Sequence, residues 1–217
     1  MMWHIQPMGE VAVLAECSID DLALANRHAV AFSQRVALVD GISVTLGINS
    51  VLVRFDPLQR VLNDVLHLLS DLSESIVVQA QDKPRIVEVP ARYGGEYGPD
   101  LRDAAHTLGM PARDVVALHT SQPWRVLMIG FAPGFPYIGP LPPALHLPRR
   151  STPRATVPAG SVAIAAGLTG IYPTRLPGGW HLIGRTDVEL FNAQREPPAF
   201  LQAGDLVRFI ADHVEGD

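Results

Sequence analysis

The chain has 217 residues, 47% of them hydrophobic and 18% charged, with a net charge of −5 at pH 7. That length holds one large core or two small ones, and that balance excludes an intrinsically disordered chain. A net negative charge gives no general attraction to nucleic acid or to an anionic membrane. There is no run of about 18 apolar residues to span a membrane, and Met1 to Ile5 lack the basic and apolar regions of a secretory signal, so the expected compartment is the cytoplasm. The single cysteine, Cys17, excludes an intrachain disulfide and a cysteine-based zinc site, and is read as a small buried hydrophobe.

In chain order, residues 11–15 read as a strand. Ser18 and Asp20 offer helix caps, and Leu22, Ala25, Ala29, Phe32 and Val36 recur at alternating gaps of three and four, which marks one apolar helical face. Residues 43–46 and 50–55 read as paired strands across the turn Gly47-Ile48-Asn49. Asp56-Pro57 places a capping carboxylate before a proline, and Leu58, Leu62, Val65, Leu69 and Leu72 continue as a second helix. A short apolar run at 76–78 completes a β-α-β-β-α-β order, the split-βαβ or ferredoxin-like plan. His28 and His67 on these helices are read as surface or boundary residues.

A polar linker follows, holding Lys83, the only lysine. The expected division is residues 1–80 as a small α/β domain, 81–85 as linker and 86–213 as a second domain, giving an α+β protein. Residues 86–90 read as a strand, and Tyr93-Gly94-Gly95-Glu96-Tyr97-Gly98-Pro99 as a turn into a helix through Leu101, Ala104, Ala105 and Leu108 that stops at Gly109. Met110-Pro111 opens another short helix, with His119 just past its end. Beyond residue 120 only short strands between turns are visible, at 125–129, 161–166, 180–183, 188–191 and 206–210, which predicts a β-barrel or sandwich.

Between Val115 and Thr186 there is no Asp or Glu, yet Arg125, Arg149, Arg150, Arg154, Arg175 and Arg185 fall there. Guanidinium groups without local counter-ions point to a small anion; equally, they pair with carboxylates from the N-terminal half or from a partner. The loop from Gly130 to Gly139 sets Phe131, Phe135 and Tyr137 among rigid Pro133 and Pro136 and permissive glycines. It reads either as a presented apolar surface for a partner or as a packed cover on the barrel. The Gly178-Gly179 pair and the Thr169-Gly170 turn offer backbone N–H groups for an anion nest, and Tyr172, Trp180 and His181 supply stacking and hydrogen bonds. His119 and His181 are the candidates for proton transfer near neutral pH, or else satisfied structural residues. With one lysine there is no Walker phosphate loop, and the histidines show no ligand spacing, so no metal is expected.

Taken together and in order, Tyr93 to Leu101, Gly130 to Gly139, Pro148-Arg149-Arg150, Pro153-Arg154, Val157 to Ser161, Thr169-Gly170-Ile171-Tyr172-Pro173 and Pro177-Gly178-Gly179-Trp180 resemble the B-subunit family of 5-oxoprolinase. That family is also labelled allophanate hydrolase subunit 1 or Kip sensor-kinase inhibitor. The resemblance implies a cyclophilin-like β-barrel after the small domain. It also implies a non-autonomous subunit, inactive alone, that works with the C and A subunits to open 5-oxoproline to glutamate. ATP would be a co-substrate of the complex. Within it, Arg149, Arg150, Arg154, Thr169, Tyr172, Gly178, Gly179 and Trp180 are expected to bind the anionic substrate, His119 and His181 to carry protons, and Phe131, Pro133, Phe135 and Tyr137 to form a loop or partner interface. The labels leave open a regulator of a sensor histidine kinase and a urea- or allophanate-related subunit. Leu168 departs from the family, where Gln often precedes the Thr-Gly-Ile-Tyr-Pro element.

Overall fold

Alternating apolar residues set up the first sheet, but they begin earlier than the sequence pattern indicates. In the computed structural model, which describes residues 2–76, 78 and 84–215, the elements of the first unit are β1 (Trp3–Pro7), β2 (Ala12–Cys17), α1 (Leu22–Val36), β3 (Ile42–Leu46), β4 (Ser50–Phe55) and α2 (Leu62–Glu74). The sheet order is β1-β2-β4-β3 and every neighbouring pair is antiparallel. Among the described residues the order is therefore β-β-α-β-β-α in place of the expected β-α-β-β-α-β. Trp3 and Ile5 alternate with polar His4 and Gln6, so the N-terminal segment supplies the outer strand beside β2. Of the strand expected at 76–78, Val77 lies outside the described residues, and Ile76 and Val78 belong to no strand. Residues 81–83 of the expected linker also lie outside them.

Two helix starts differ from expectation. Asp21, rather than Ser18 or Asp20, caps α1, its carboxylate accepting the Leu24 N–H at 2.9 Å. The Asp56 carboxylate accepts the Leu58 N–H at 2.9 Å in a turn of its own, so α2 begins only at Leu62 and Leu58 is left exposed. Ala25, Ala29, Phe32 and Val36 of α1 and Val65 and Leu69 of α2 meet Val13, Val51 and Val53 in the core. Burying each large apolar side chain contributes about 1.5–3 kcal/mol. Cys17 is buried there as a small hydrophobe.

The chain divides into compact units at residues 83 and 84. The second contains β5 (Ile86–Gly94), α3 (Leu101–Leu108), α4 (Ala112–Thr120), β6 (Trp124–Ile129), β7 (Pro136–Gly139), β8 (Arg154–Val157), β9 (Ser161–Ala165), β10 (Leu168–Ile171), β11 (Leu176–Gly178), β12 (His181–Arg185) and β13 (Leu206–Glu215). Seven strands close into a barrel in the order β10-β7-β6-β13-β5-β12-β9, while β8 and β11 form a separate ribbon. Closure hides the strand edges, and the long parallel pairing of β13 with β5 joins the two ends of the unit. Gly109, left-handed at φ 68°, ends α3 as expected. The strand expected at 188–191 is reduced to one bridge between Phe191 and Ala199. β7, β10 and β11 are too short and too rich in Gly and Pro to stand out in the sequence, and β8 is only four residues long.

Candidate functional site

The arginine cluster is organised by a carboxylate from outside the acid-free stretch. Asp100, at the entry to α3, is buried, and Arg154 at the start of β8 donates to it twice, Nη1 to Oδ2 at 2.8 Å and Nη2 to Oδ1 at 2.7 Å. Arg150 Nη1 donates to Oδ1 at 2.9 Å and the Leu182 N–H to Oδ2 at 2.7 Å. Arg150 and Arg154 are thus held in place by an internal partner, the second of the two alternatives open from sequence. Two guanidiniums around one carboxylate still leave an excess positive charge, and both side chains keep 27–30% of their surface exposed. Arg149 is exposed and, among the described residues, joins no ion pair.

Beside this cluster the loop between β6 and β7 folds around Phe135. Only 2% exposed, Phe135 packs edge-on against Tyr172 and Tyr137 with ring centroids 5.1 Å away, and against Trp180 at 5.8 Å. Such pairs each add about 0.5–1.5 kcal/mol beyond area burial. Phe135 is therefore the centre of the packing and not a docking side chain. Phe131 differs: it is 59% exposed and sits at a left-handed φ of 67°, a conformation that is an outlier for a bulky side chain. Pro133 is exposed as well. Gly134 lies against Phe191, which brings a second exposed ring to the same loop from roughly sixty residues further along the chain.

The two candidate histidines separate. His119 lies inside the last turn of α4, not beyond it, and is fully buried. Tyr93 O–H donates to its Nδ1 at 2.9 Å, its Nε2–H donates to Thr169 Oγ1 at 2.9 Å, and Thr169 passes its own proton to the Ala163 carbonyl at 3.0 Å. Burial lowers the His119 pKa from 6.5 to about 3 and pushes the Tyr93 phenol up, so the imidazole stays neutral in one tautomer. His119 and Thr169 are thereby corrected from surface chemistry to a satisfied interior network. His181, at the start of β12, is half-buried; its Nε2–H donates to the Pro148 carbonyl at 2.9 Å and its Nδ1 is buried without a partner.

The glycine turn is also corrected. Neither Gly178 nor Gly179 has the left-handed φ of an anion nest. Gly178 is needed for close approach, since a Cβ there would overlap Tyr172 Oη, and the Gly179 carbonyl accepts the Arg150 N–H at 2.8 Å. Tyr172 and Trp180 are buried in the aromatic cluster; burial raises the Tyr172 phenol pKa despite nearby Arg149. Leu168 is buried over Gly139, so its apolar side chain serves packing. What remains accessible is Arg149, the excess charge of Arg150 and Arg154, half-buried Tyr137 and His181, and the Phe131 loop. No local sequence signal links Asp100 to arginines fifty residues away. Among the described residues no helix is long and apolar enough to cross a membrane, and no group of three or more His, Cys, Asp or Glu is placed to hold a metal.

Residues 3–201 match the family model described as "Carboxyltransferase domain, subdomain C and D". The two compact units together thus make up a carboxyltransferase-type C and D unit. The chain is 39% identical to the B subunit of 5-oxoprolinase from Escherichia coli O157:H7, over 94% of its own length and 93% of that protein's. It is likewise 39% identical to the B subunit of the Haemophilus influenzae enzyme, covering 98% and 99%. With the B subunit from Bacillus subtilis it is 45% identical over 71% of this chain and 62% of that one. The chain belongs to the B-subunit family of 5-oxoprolinase. Among solved structures it is similar to TTHA0988, with a TM-score of 0.79 and 36% identity, matching 95% of this chain but only 40% of the longer one. The Kluyveromyces lactis urea amidolyase shares the fold, with a TM-score of 0.75 at 21% identity over 97% of this chain and 15% of that one.

Proposed function

We propose that the chain is one subunit of a cytoplasmic, ATP-dependent 5-oxoprolinase, opening 5-oxo-L-proline to L-glutamate together with the C and A subunits and inactive by itself. The observation that carries this reading is the similarity to two proteins named as B subunits of 5-oxoprolinase over nearly the full length of all three chains. The likeness to urea amidolyase lies below the identity at which more than fold is shared, so it does not favour a urea-directed reading.

The lactam carbonyl is a poor electrophile. Transfer of the ATP γ-phosphoryl group to its oxygen, with release of ADP, makes the ring carbon attackable by water; the adduct collapses by breaking the ring C–N bond, the nitrogen taking a proton, and a second water hydrolyses the resulting γ-acyl phosphate to glutamate and inorganic phosphate. In this chain Arg149, with Arg150 and Arg154 held behind it by Asp100, binds the substrate carboxylate. His181 remains the candidate proton carrier after His119 is withdrawn. The described part of the barrel unit contains no lysine, so the phosphates of ATP are assigned to the companions. The exposed Phe131, Pro133 and Phe191 dock the C subunit. Support comes from TTHA0988, a single polypeptide in which a unit like this one accounts for only 40% of the length, and from the carboxylate-free sequence around the loop, which suits an acidic partner surface.

The deciding experiment is glutamate release from 5-oxoproline by the chain alone, with each companion, and with both. Turnover requiring ATP and both companions is expected. Turnover by the isolated chain, or none with both companions present, overturns the reading.

A further inference from the structure

Two arginines face each other across neighbouring strands on another part of the barrel. Arg185 of β12 pairs in register with Arg92 of β5, which places both side chains on one face, where like charges repel. Arg92 is compensated: its Nη2 donates to Asp187 at 2.7 Å and its guanidinium lies 4.3 Å from the centre of the Tyr97 ring. Arg185 is not. Among the described residues it joins no ion pair, and its Nε is buried without a hydrogen-bond partner.

On the other side of β5, β13 carries a bulge. Its register passes from Ala211 opposite Ala91 to His213 opposite Arg92, so Asp212 is the extra residue, and a bulge of this kind re-aims a side chain. Asp212 also has no ion pair among the described residues. Arg185, Asp212 and Thr186 all line one small pocket of about 160 Å³. Thr186 is only 3% exposed; its hydroxyl accepts the Val188 N–H at 3.2 Å, which leaves its proton to donate.

A cation and an anion that line one pocket without meeting leave room for a ligand bearing both charges in the complementary order. We propose that this pocket binds the head group of a free α-amino acid, with its carboxylate on Arg185 and the Thr186 hydroxyl and its ammonium on Asp212. Asp187 also lines the pocket, with one of its oxygens already paired to Arg92. The site is separate from the Arg149 face, and the inference does not depend on the oxoprolinase reading.

The test is calorimetric titration of the whole isolated chain with glycine and with L-glutamate, beside acetate, methylammonium and glycine betaine. Saturable binding of both amino acids is expected, with acetate and methylammonium weaker by about tenfold or more, because each satisfies one charge and leaves the other unpaired. Betaine, which has no N–H donor, is expected not to bind. Arg185→Gln and Asp212→Asn are each expected to lower glycine affinity by about tenfold or more. The ligand comparison uses only the wild-type chain, so it decides the matter even where a variant misfolds. Absence of saturable glycine binding, acetate binding as tightly as glycine, or folded variants that bind like the wild type overturns the proposal.

Discussion

Asp100 grips Arg154 at two points, Nη1 to Oδ2 at 2.8 Å and Nη2 to Oδ1 at 2.7 Å, across 54 residues of chain. The carboxylate is buried while the guanidinium keeps 27% of its side-chain surface, so an arginine that loses the acid can still turn toward water. Asp100→Ala also removes the acceptor of the buried Leu182 N–H, which has no such escape. The expected cost is about 2–4 kcal/mol, read as a lower urea midpoint. A loss below about 0.5 kcal/mol, the size of a neutral surface change, removes Asp100 as the organiser of the cluster.

His119 makes acid sensitivity a property of the core. Its folded pKa of about 3 lies below the ordinary 6.5, so between those values the unfolded chain takes up a proton that the native one refuses. Its contribution is fully present above about pH 6.5 and is lost as pH falls toward 3, by up to about 1.4 kcal/mol per unit. Replacing it by a residue that does not titrate, His119→Gln, is expected to lower stability overall and to flatten the slope of unfolding free energy between pH 6.5 and 5. An unchanged slope in urea denaturation contradicts the assignment.

Phe131 and Phe135 are four residues apart and are expected to behave oppositely. Phe135→Ala opens the aromatic cluster and should cost about 3–5 kcal/mol of stability. Phe131→Ala loses one edge contact and should change stability by under about 1.5 kcal/mol. Its effect belongs to assembly: affinity for the C subunit is expected to fall by about tenfold or more, since exposed aromatic anchors carry most of an interface's energy. Unchanged affinity in an active complex discards the docking assignment while leaving the oxoprolinase reading intact; absence of any complex in the wild type counts against that reading itself.

Gly178 admits the Tyr172 hydroxyl into the space a methyl group would occupy. Gly178→Ala is expected to destabilise by about 1–3 kcal/mol through overpacking. Adding Tyr172→Phe should restore part of the loss, because the next ring atom stands at 2.8 Å. A thermal melt of the single and double variants measures both, and a double variant no more stable than the single one refutes the steric account.

Legibility followed interaction range. The faces of α1 and α2, the Gly109 stop and the hairpin of β3 and β4 were visible because their causes lie within a few residues: side-chain spacing, caps and turns. The strand at Trp3–Pro7 was missed because a five-residue outer strand has weak local preference and forms by pairing with β2. β7 and β10 were missed for a similar reason, being four residues long and built on Pro and Gly. The candidate site divided in the same way. The motifs drew attention to these loops, but they could not distinguish exposed Phe131 from buried Phe135, or partly exposed His181 from sealed His119.

From the sequence alone came the family resemblance, the two helices of the first unit, the strand-rich second unit and the concentration of arginine without local acid. Those properties depend on residue identity and short spacing, which the chain carries in any conformation. The tertiary structure alone decided that Asp100 neutralises part of the arginine cluster, that burial keeps His119 neutral between Tyr93 and Thr169, and that Arg185 and Asp212 line one pocket unpaired. Each of these depends on barrel closure bringing together groups that are distant in the chain, at separations where a shift of about one ångström changes a hydrogen bond into none.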